Sequence, residues 1–218
     1  MAIRVALGGV FLLLLAVSCL VVAGAPQCKN PDGKVVEWYI VYKLPLSSNE
    51  ESSFHTNGDE LVYVDSDMKN AKGFRLLNAT AHDVKGNPIA LTLADLFKGS
   101  KINGSLYVVY NDQPPEPYSG SSRGHTKGVV QFSKDGGYWL THSVPRFPFN
   151  VLSEKYEYPD SGRVNGQVLM CISFKGETLP RVAAALRHQY PYIYESGATK
   201  RLLFNTEIKL LMKKKIRT

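Results

Sequence analysis

Short runs of β-branched and aromatic residues, each ended by a turn signal, constrain this chain more than any other feature. Residues 35–43 (VVEWYIVYK) read as a strand, closed by Pro45. Residues 60–65 and 105–111 (SLYVVYN) repeat the pattern, and 167–174 read as a buried strand. Residues 127–132 and 138–142 flank Lys134-Asp135-Gly136-Gly137, whose Asp-Gly pair predicts a hairpin. Helical signals are fewer. Thr92 with Asp95 resembles a capping box opening a short helix through Leu93, Leu96 and Phe97. Thr178-Leu179-Pro180 predicts a second helix, running through Leu186, with proline near its first turn. There is no internal repeat and no low-complexity linker. The expected fold class is α/β, a mixed sheet with flanking helices. With 44% hydrophobic residues in 218 positions, the chain can fill a core, which excludes disordered and fibrous classes.

Charge lies at the ends. The first 25 residues carry Arg4 alone, and residues 200–218 carry seven basic side chains against Glu207, so the formal +7 leaves 26–199 neutral. Nothing in the composition of the body argues for a nucleic-acid-binding surface. Arg4, an apolar run from Val5 to Val22, and Ala23-Gly24-Ala25 read as a secretory signal peptide over 1–25. A retained membrane anchor is the alternative, since the run is long enough to span a bilayer. With cleavage, no stable membrane insertion remains. Cys19 leaves with the signal, and Cys28 with Cys171 then most simply form one disulfide in an oxidising compartment; two buried thiols are the other reading. Asn78-Ala79-Thr80 and Asn103-Gly104-Ser105 fit asparagine glycosylation.

The chemistry begins by exclusion. No glycine-rich phosphate loop, no cysteine and histidine cluster at metal-ligand spacing and no G-x-S-x-G elbow occurs, so no metal or cofactor is expected. One local constellation remains, Gly124-His125-Thr126-Lys127-Gly128 followed by a hairpin and His142-Ser143-Val144-Pro145. In a strand, positions i and i+2 share a face, so His125 and Lys127 point together. A two-residue Asp135-Gly136 turn sets Val129 opposite His142 and brings His142 to that face; a three-residue loop reverses it. An imidazole beside an ammonium suits phosphate chemistry, because the lysine neutralises phosphate oxygens and disfavours the protonated ring. By itself the H-x-K triplet is a weak signal, and a solvated strand edge explains it better.

Five ordered blocks carry more. They are Glu37-Trp38-Tyr39-Ile40-Val41-Tyr42-Lys43-Leu44-Pro45, Tyr110-Asn111-Asp112-Gln113-Pro114-Pro115, the Gly124–Gly128 run, Gly136-Gly137-Tyr138-Trp139-Leu140-Thr141-His142-Ser143-Val144-Pro145, and Asn165-Gly166-Gln167 leading into Cys171-Ile172-Ser173-Phe174. Together they resemble the N-terminal half of the deoxyribonuclease II family across residues 28–195. That family resembles the phospholipase D superfamily, in which two H-x-K halves face each other in a pseudo-dimer, and this chain matches one half. The resemblance implies metal-independent hydrolysis of DNA at acidic pH to 3′-phosphate ends, in a lysosomal or secreted protein. One histidine attacks phosphorus, a partner histidine protonates the departing 5′ oxygen, and the lysines hold the phosphate. His125 and Lys127 match the first H-x-K, His142 matches the His-Ser-Val-Pro histidine, and the first cysteine is paired as Cys28–Cys171.

The chain departs from that pattern in carrying one H-x-K. The domain expectation is a family half over 26–199 and a basic, non-family tail over 200–218, solvated and frayed, with contact to nucleic acid or an anionic membrane as the alternative. Two functional readings follow: a nuclease completed by a homodimer that pairs two sites, or a truncated, inactive half that at most binds DNA or a partner.

Overall fold

The computed structural model describes residues 24–47, 55–68, 73–97, 104–120, 122–149, 151 and 155–215. The signal-peptide reading over 1–23 and the Asn103 glycosylation site lie outside the described residues. Ten strands run in chain order: β1 Trp38–Lys43, β2 Leu46–Ser47, β3 Thr56–Asn57, β4 Glu60–Asp65, β5 Arg75–Thr80, β6 Leu106–Asn111, β7 Lys127–Phe132, β8 Gly136–His142, β9 Gln167–Lys175 and β10 Ile193–Ala198. Three α-helices accompany them: α1 Pro88–Leu93, α2 Leu179–His188 and α3 Thr206–Met212.

Eight of the strands form one sheet in the order β10-β6-β7-β8-β9-β1-β4-β5, and β2 with β3 forms a small ribbon. Every neighbouring pair in the large sheet is antiparallel, so the expected mixed sheet is corrected to an antiparallel one. The reason is connectivity. Strands β6 through β9 follow one another as neighbours, and no helix carries the chain across to a parallel partner.

Helices α1 and α2 carry the chain between distant strands, from β5 to β6 and from β9 to β10, and pack on the faces of the sheet. Alternate residues of β6 and β7 (Leu106, Val108, Tyr110, Val130 and Phe132) pack against Leu179, Val182 and Leu186 of α2 and Ile208 and Leu211 of α3. Val109, Val129 and Leu140 face the other side, with Ile89 and Leu93 of α1 and the Phe147 and Tyr156 rings. All six β7 residues are therefore buried, which an alternating strand with one wet face never shows.

Two local expectations shift. Helix α1 opens at Asn87, whose Oδ1 accepts from the Ile89 amide (2.9 Å), with Pro88 in the first turn; Thr92 lies inside it, accepting from the Lys29 amide (3.0 Å). The hairpin between β7 and β8 pairs Phe132 with Gly137, leaving residues 133–136 as the turn. The tail expected to fray is instead α3. Asn205 caps it through the Glu207 amide (2.8 Å), Ile208 and Leu211 are buried, and Arg187 of α2 pairs with Glu207.

Cys28 and Cys171 form a disulfide, both fully buried, tying the N-terminal segment to the centre of β9. The link closes a loop of sequence separation 143. The chain-entropy model sets its contribution at about 5 kcal/mol. A Cys28→Ser/Cys171→Ser double variant is expected to lose most of that, measured as the shift in urea unfolding free energy. A loss below about 1 kcal/mol would show that the unfolded chain gains little from release of the link.

Candidate active site

Strands β6 and β7 pair with Asn111 opposite Lys127, so the residues at their open ends meet. Asp112 follows β6 directly, and His125 lies two positions before β7, outside the strand. Both chemically active side chains of the H-x-K converge on that one carboxylate. Asp112 Oδ2 lies 2.8 Å from His125 Nδ1, and Oδ1 takes a short hydrogen bond from the Lys127 ammonium. His125 projects into solvent with its side chain 86% exposed, whereas Lys127 is 3% exposed.

Close packing fixes this end of the sheet. The Gly124 amide donates to the Tyr190 carbonyl (2.9 Å), and the Thr126 hydroxyl to Gln189 Oε1 (2.8 Å). At Gly124 a β-carbon would collide with the Gln189 carbonyl oxygen, and at Gly128 with the Tyr110 hydroxyl and the Leu140 carbonyl. Both glycines flanking the H-x-K are thus demanded by neighbours and not by a phosphate cradle. Buried Asn111 donates to the Val144 (3.1 Å) and Phe147 (2.9 Å) carbonyls, holding the His-Ser-Val-Pro segment beside the site.

The electrostatics follow from burial. Desolvation works to raise the Asp112 carboxyl, but hydrogen bonds and charge from Lys127 and His125 outweigh it and hold the group below the usual carboxylate range. An ionised carboxylate only accepts, so His125 Nδ1 must donate to it. The lone pair then sits on Nε2, on an imidazole open to solvent. An exposed ring presenting an oriented Nε2 beside a pinned ammonium is an arrangement for attack on an electrophile with anionic oxygens.

His142 behaves differently. The register that pairs Gly128 with Thr141 sets it across from Lys127, not Val129 as a two-residue turn would. The shift is by an even number of residues, so the shared face is kept. The ring is buried, edge-on to Phe147 (5.3 Å), and neither nitrogen makes a well-formed hydrogen bond among the described residues. Burial, then the Lys127 charge, push its pKa down to about 3, with the Val144 backbone opposing. His125, Lys127 and His142 therefore gather at one place, but only His125 reaches solvent. Asp112 was not singled out in the sequence; its signal was the place it holds in the Tyr110–Pro115 block. Asn78 lies exposed on β5, sterically open to a glycan. No group of histidine, cysteine and acidic residues able to hold a metal occurs among the described residues.

The family profile for deoxyribonuclease II matches residues 27–217, through the basic tail. The chain is 38% identical over 191 residues to rat (Rattus norvegicus) deoxyribonuclease-2-alpha, covering 84% of this chain and 51% of that protein. Human deoxyribonuclease-2-beta is 36% identical over 187 residues, with 84% and 50% covered. Plancitoxin-1 of Acanthaster planci is 34% identical over 200 residues, with 90% and 54% covered. The chain spans about half the length of these relatives. A family profile matched over residues 27–217, with relatives 34–38% identical across most of the chain, makes this chain a member of the deoxyribonuclease II family.

Proposed function

We propose that the chain supplies one half of an acid endodeoxyribonuclease site, in a phospholipase D-like pairing of two H-x-K motifs. The observation that carries this reading is the fork at Asp112, which orients an exposed His125 and pins Lys127. In the proposed step His125 Nε2 forms a bond to phosphorus as the P–O5′ bond breaks, and the 5′ oxygen takes a proton from an acid on the opposite side. Water then hydrolyses the phosphohistidine, leaving a 3′-phosphate and restoring the ring. Lys127 stabilises the phosphate oxygens with its charge. No metal enters the scheme.

His142 is assigned to the packing behind Lys127. A ring that stays neutral and buried does not donate a proton to substrate, so the acid belongs to a second H-x-K, from another copy of this chain in a homodimer or from a longer partner half. At about pH 5 an unperturbed histidine there is mostly protonated, which suits that role. An apolar N-terminal run and the disulfide support a lysosomal or secreted setting, and no helix among the described residues is long and apolar enough to cross a membrane.

The test is protein sized by light scattering and assayed on plasmid DNA at about pH 5 with chelator present. Cleavage by a dimer, reduced on the order of 10³-fold in His125→Ala, is the expected result. Cleavage by a strict monomer would overturn the paired-site requirement. No cleavage from either form would support the second reading, an inactive half that at most binds DNA or a partner.

A further inference from the structure

The basic end of α3 closes against the segment, residues 187–191, that holds the loop carrying His125. Ile208 and Leu211 use up the apolar stripe of α3 against α2. What remains outward is cationic. Lys209, Lys213, Lys214 and Lys215 are all exposed, and none carries an ion pair among the described residues. Glu207, the one acid in residues 200–215, is already paired with Arg187. The same Arg187 donates through Nε to the Lys215 carbonyl (2.7 Å), which locks the last turn in place.

That turn borders a short path to the catalytic loop. Lys214 and Lys215 line a small cleft with Arg187 and Pro191. The Pro191 carbonyl accepts from the Arg123 guanidinium (3.3 Å), which also stacks over the Tyr190 ring (5.5 Å). The Tyr190 carbonyl in turn holds the Gly124 amide at 2.9 Å, next to His125. The cationic turn therefore reaches Pro191 across that cleft, and hydrogen bonds carry the connection on through Arg123 and Gly124 to the neighbourhood of the exposed imidazole.

We propose that Lys213, Lys214 and Lys215, with Arg123, form a phosphate-tracking surface that holds the DNA flanking the scissile bond; this rests on the nuclease reading above. An anionic membrane is the competing partner. It is disfavoured because an interfacial helix needs a free apolar face, and that of α3 is buried; among the described residues of the segment Phe204 alone is a large exposed apolar group. Duplex DNA, with closely spaced phosphates and no need for inserted side chains, matches a line of fixed cations.

The test is equilibrium binding of a short duplex by fluorescence anisotropy at about pH 5 with chelator, over about 50 to 200 mM salt. The wild-type chain, His125→Ala and the triple variant Lys213→Gln/Lys214→Gln/Lys215→Gln are compared, each checked for unchanged circular dichroism and melting. If the three lysines neutralise three phosphates, the slope of log affinity against log salt falls by about 2.7 in the triple variant. His125→Ala keeps the wild-type slope while losing cleavage. An unchanged slope in the triple variant, with cleavage intact in the wild type, overturns this inference and leaves the nuclease reading standing. If the wild type neither binds nor cuts DNA, the nuclease reading fails and the inference falls with it. Lysine-dependent sedimentation with phosphatidylserine vesicles but not with DNA would reassign the surface to membranes and overturn the proposal.

Discussion

Asp112→Asn is expected to cost about 3–5 kcal/mol of folding stability, because it removes the partner of a buried charge without removing the charge. Lys127 is 3% exposed and Asp112 11%, so neither has water in reserve. An amide keeps the shape of the carboxylate but not its charge, and the ammonium is left facing a neutral oxygen. The same change releases His125 from its acceptor. Activity of the assembled enzyme is expected to fall by about 10³- to 10⁴-fold, the range for loss of a carboxylate that orients a catalytic imidazole. The stability loss carries a pH signature. A carboxyl held below its ordinary pKa contributes stability that is complete above the usual carboxylate range and disappears only as pH falls through the depressed folded value. The gap between wild type and Asp112→Asn should thus be the same at about pH 7 and about pH 5. Urea unfolding at the two pH values measures it, and a gap under about 1 kcal/mol would show that Lys127 does not depend on this partner.

His142 loses stability in the same direction but in a higher pH window. Its pKa drops from 6.5 to about 3 on folding. Between those values the unfolded chain binds a proton that the folded chain refuses, so stability is full above the unfolded value and falls as pH drops toward the folded one. Each pH unit in that window is worth about 1.4 kcal/mol, which makes the loss between pH 7 and pH 5 about 2 kcal/mol. His142→Phe keeps an aromatic ring against Phe147 and removes the titration. Subtracting the variant's pH dependence from that of the wild type isolates the term from the many carboxyls that titrate nearby. A difference of about 2 kcal/mol is expected; equal pH dependence would mean that the ring takes up its proton in the folded state. The site thus contains one histidine that faces solvent and one that acid pulls against the fold.

Much of this was legible in the sequence, for identifiable reasons. Strand runs at 60–65 and 127–132 coincide with β4 and β7, because β-branched and aromatic density marks buried strands whatever their partners. Strand direction was not legible, since a run of valines looks alike in parallel and antiparallel sheets. Helix α1 was misplaced because the Thr92 and Asp95 pattern mimics a cap, while Asn87-Pro88 held the stronger one. The H-x-K spacing assumed one strand, but His125 lies before β7 and meets Lys127 only through Asp112, while the face of His142 follows from strand parity. Its burial was not readable, because that depends on Phe147, brought over by Asn111 through hydrogen bonds to the Val144 and Phe147 carbonyls. Asp112 was hidden for a related cause: a carboxylate becomes chemically significant only when two cations are folded onto it.

The order of strands also sets a timetable. Strands β1, β4 and β5 form one meander, and β6 to β9 another; they meet only where β1 pairs with β9. Tyr39 sits opposite Cys171 at that seam, and the Ser173 hydroxyl bridges it, accepting from the Cys28 amide (3.0 Å) and donating to the Val36 carbonyl (2.8 Å). During synthesis the first meander must wait with the edge of β1 unpaired until β9 has emerged, roughly 5 to 20 seconds later at ribosomal rates. A nascent chain is most open to wrong edge pairing in that interval, and a lumenal chaperone that shields β1 would protect the one step on which both halves of the sheet depend.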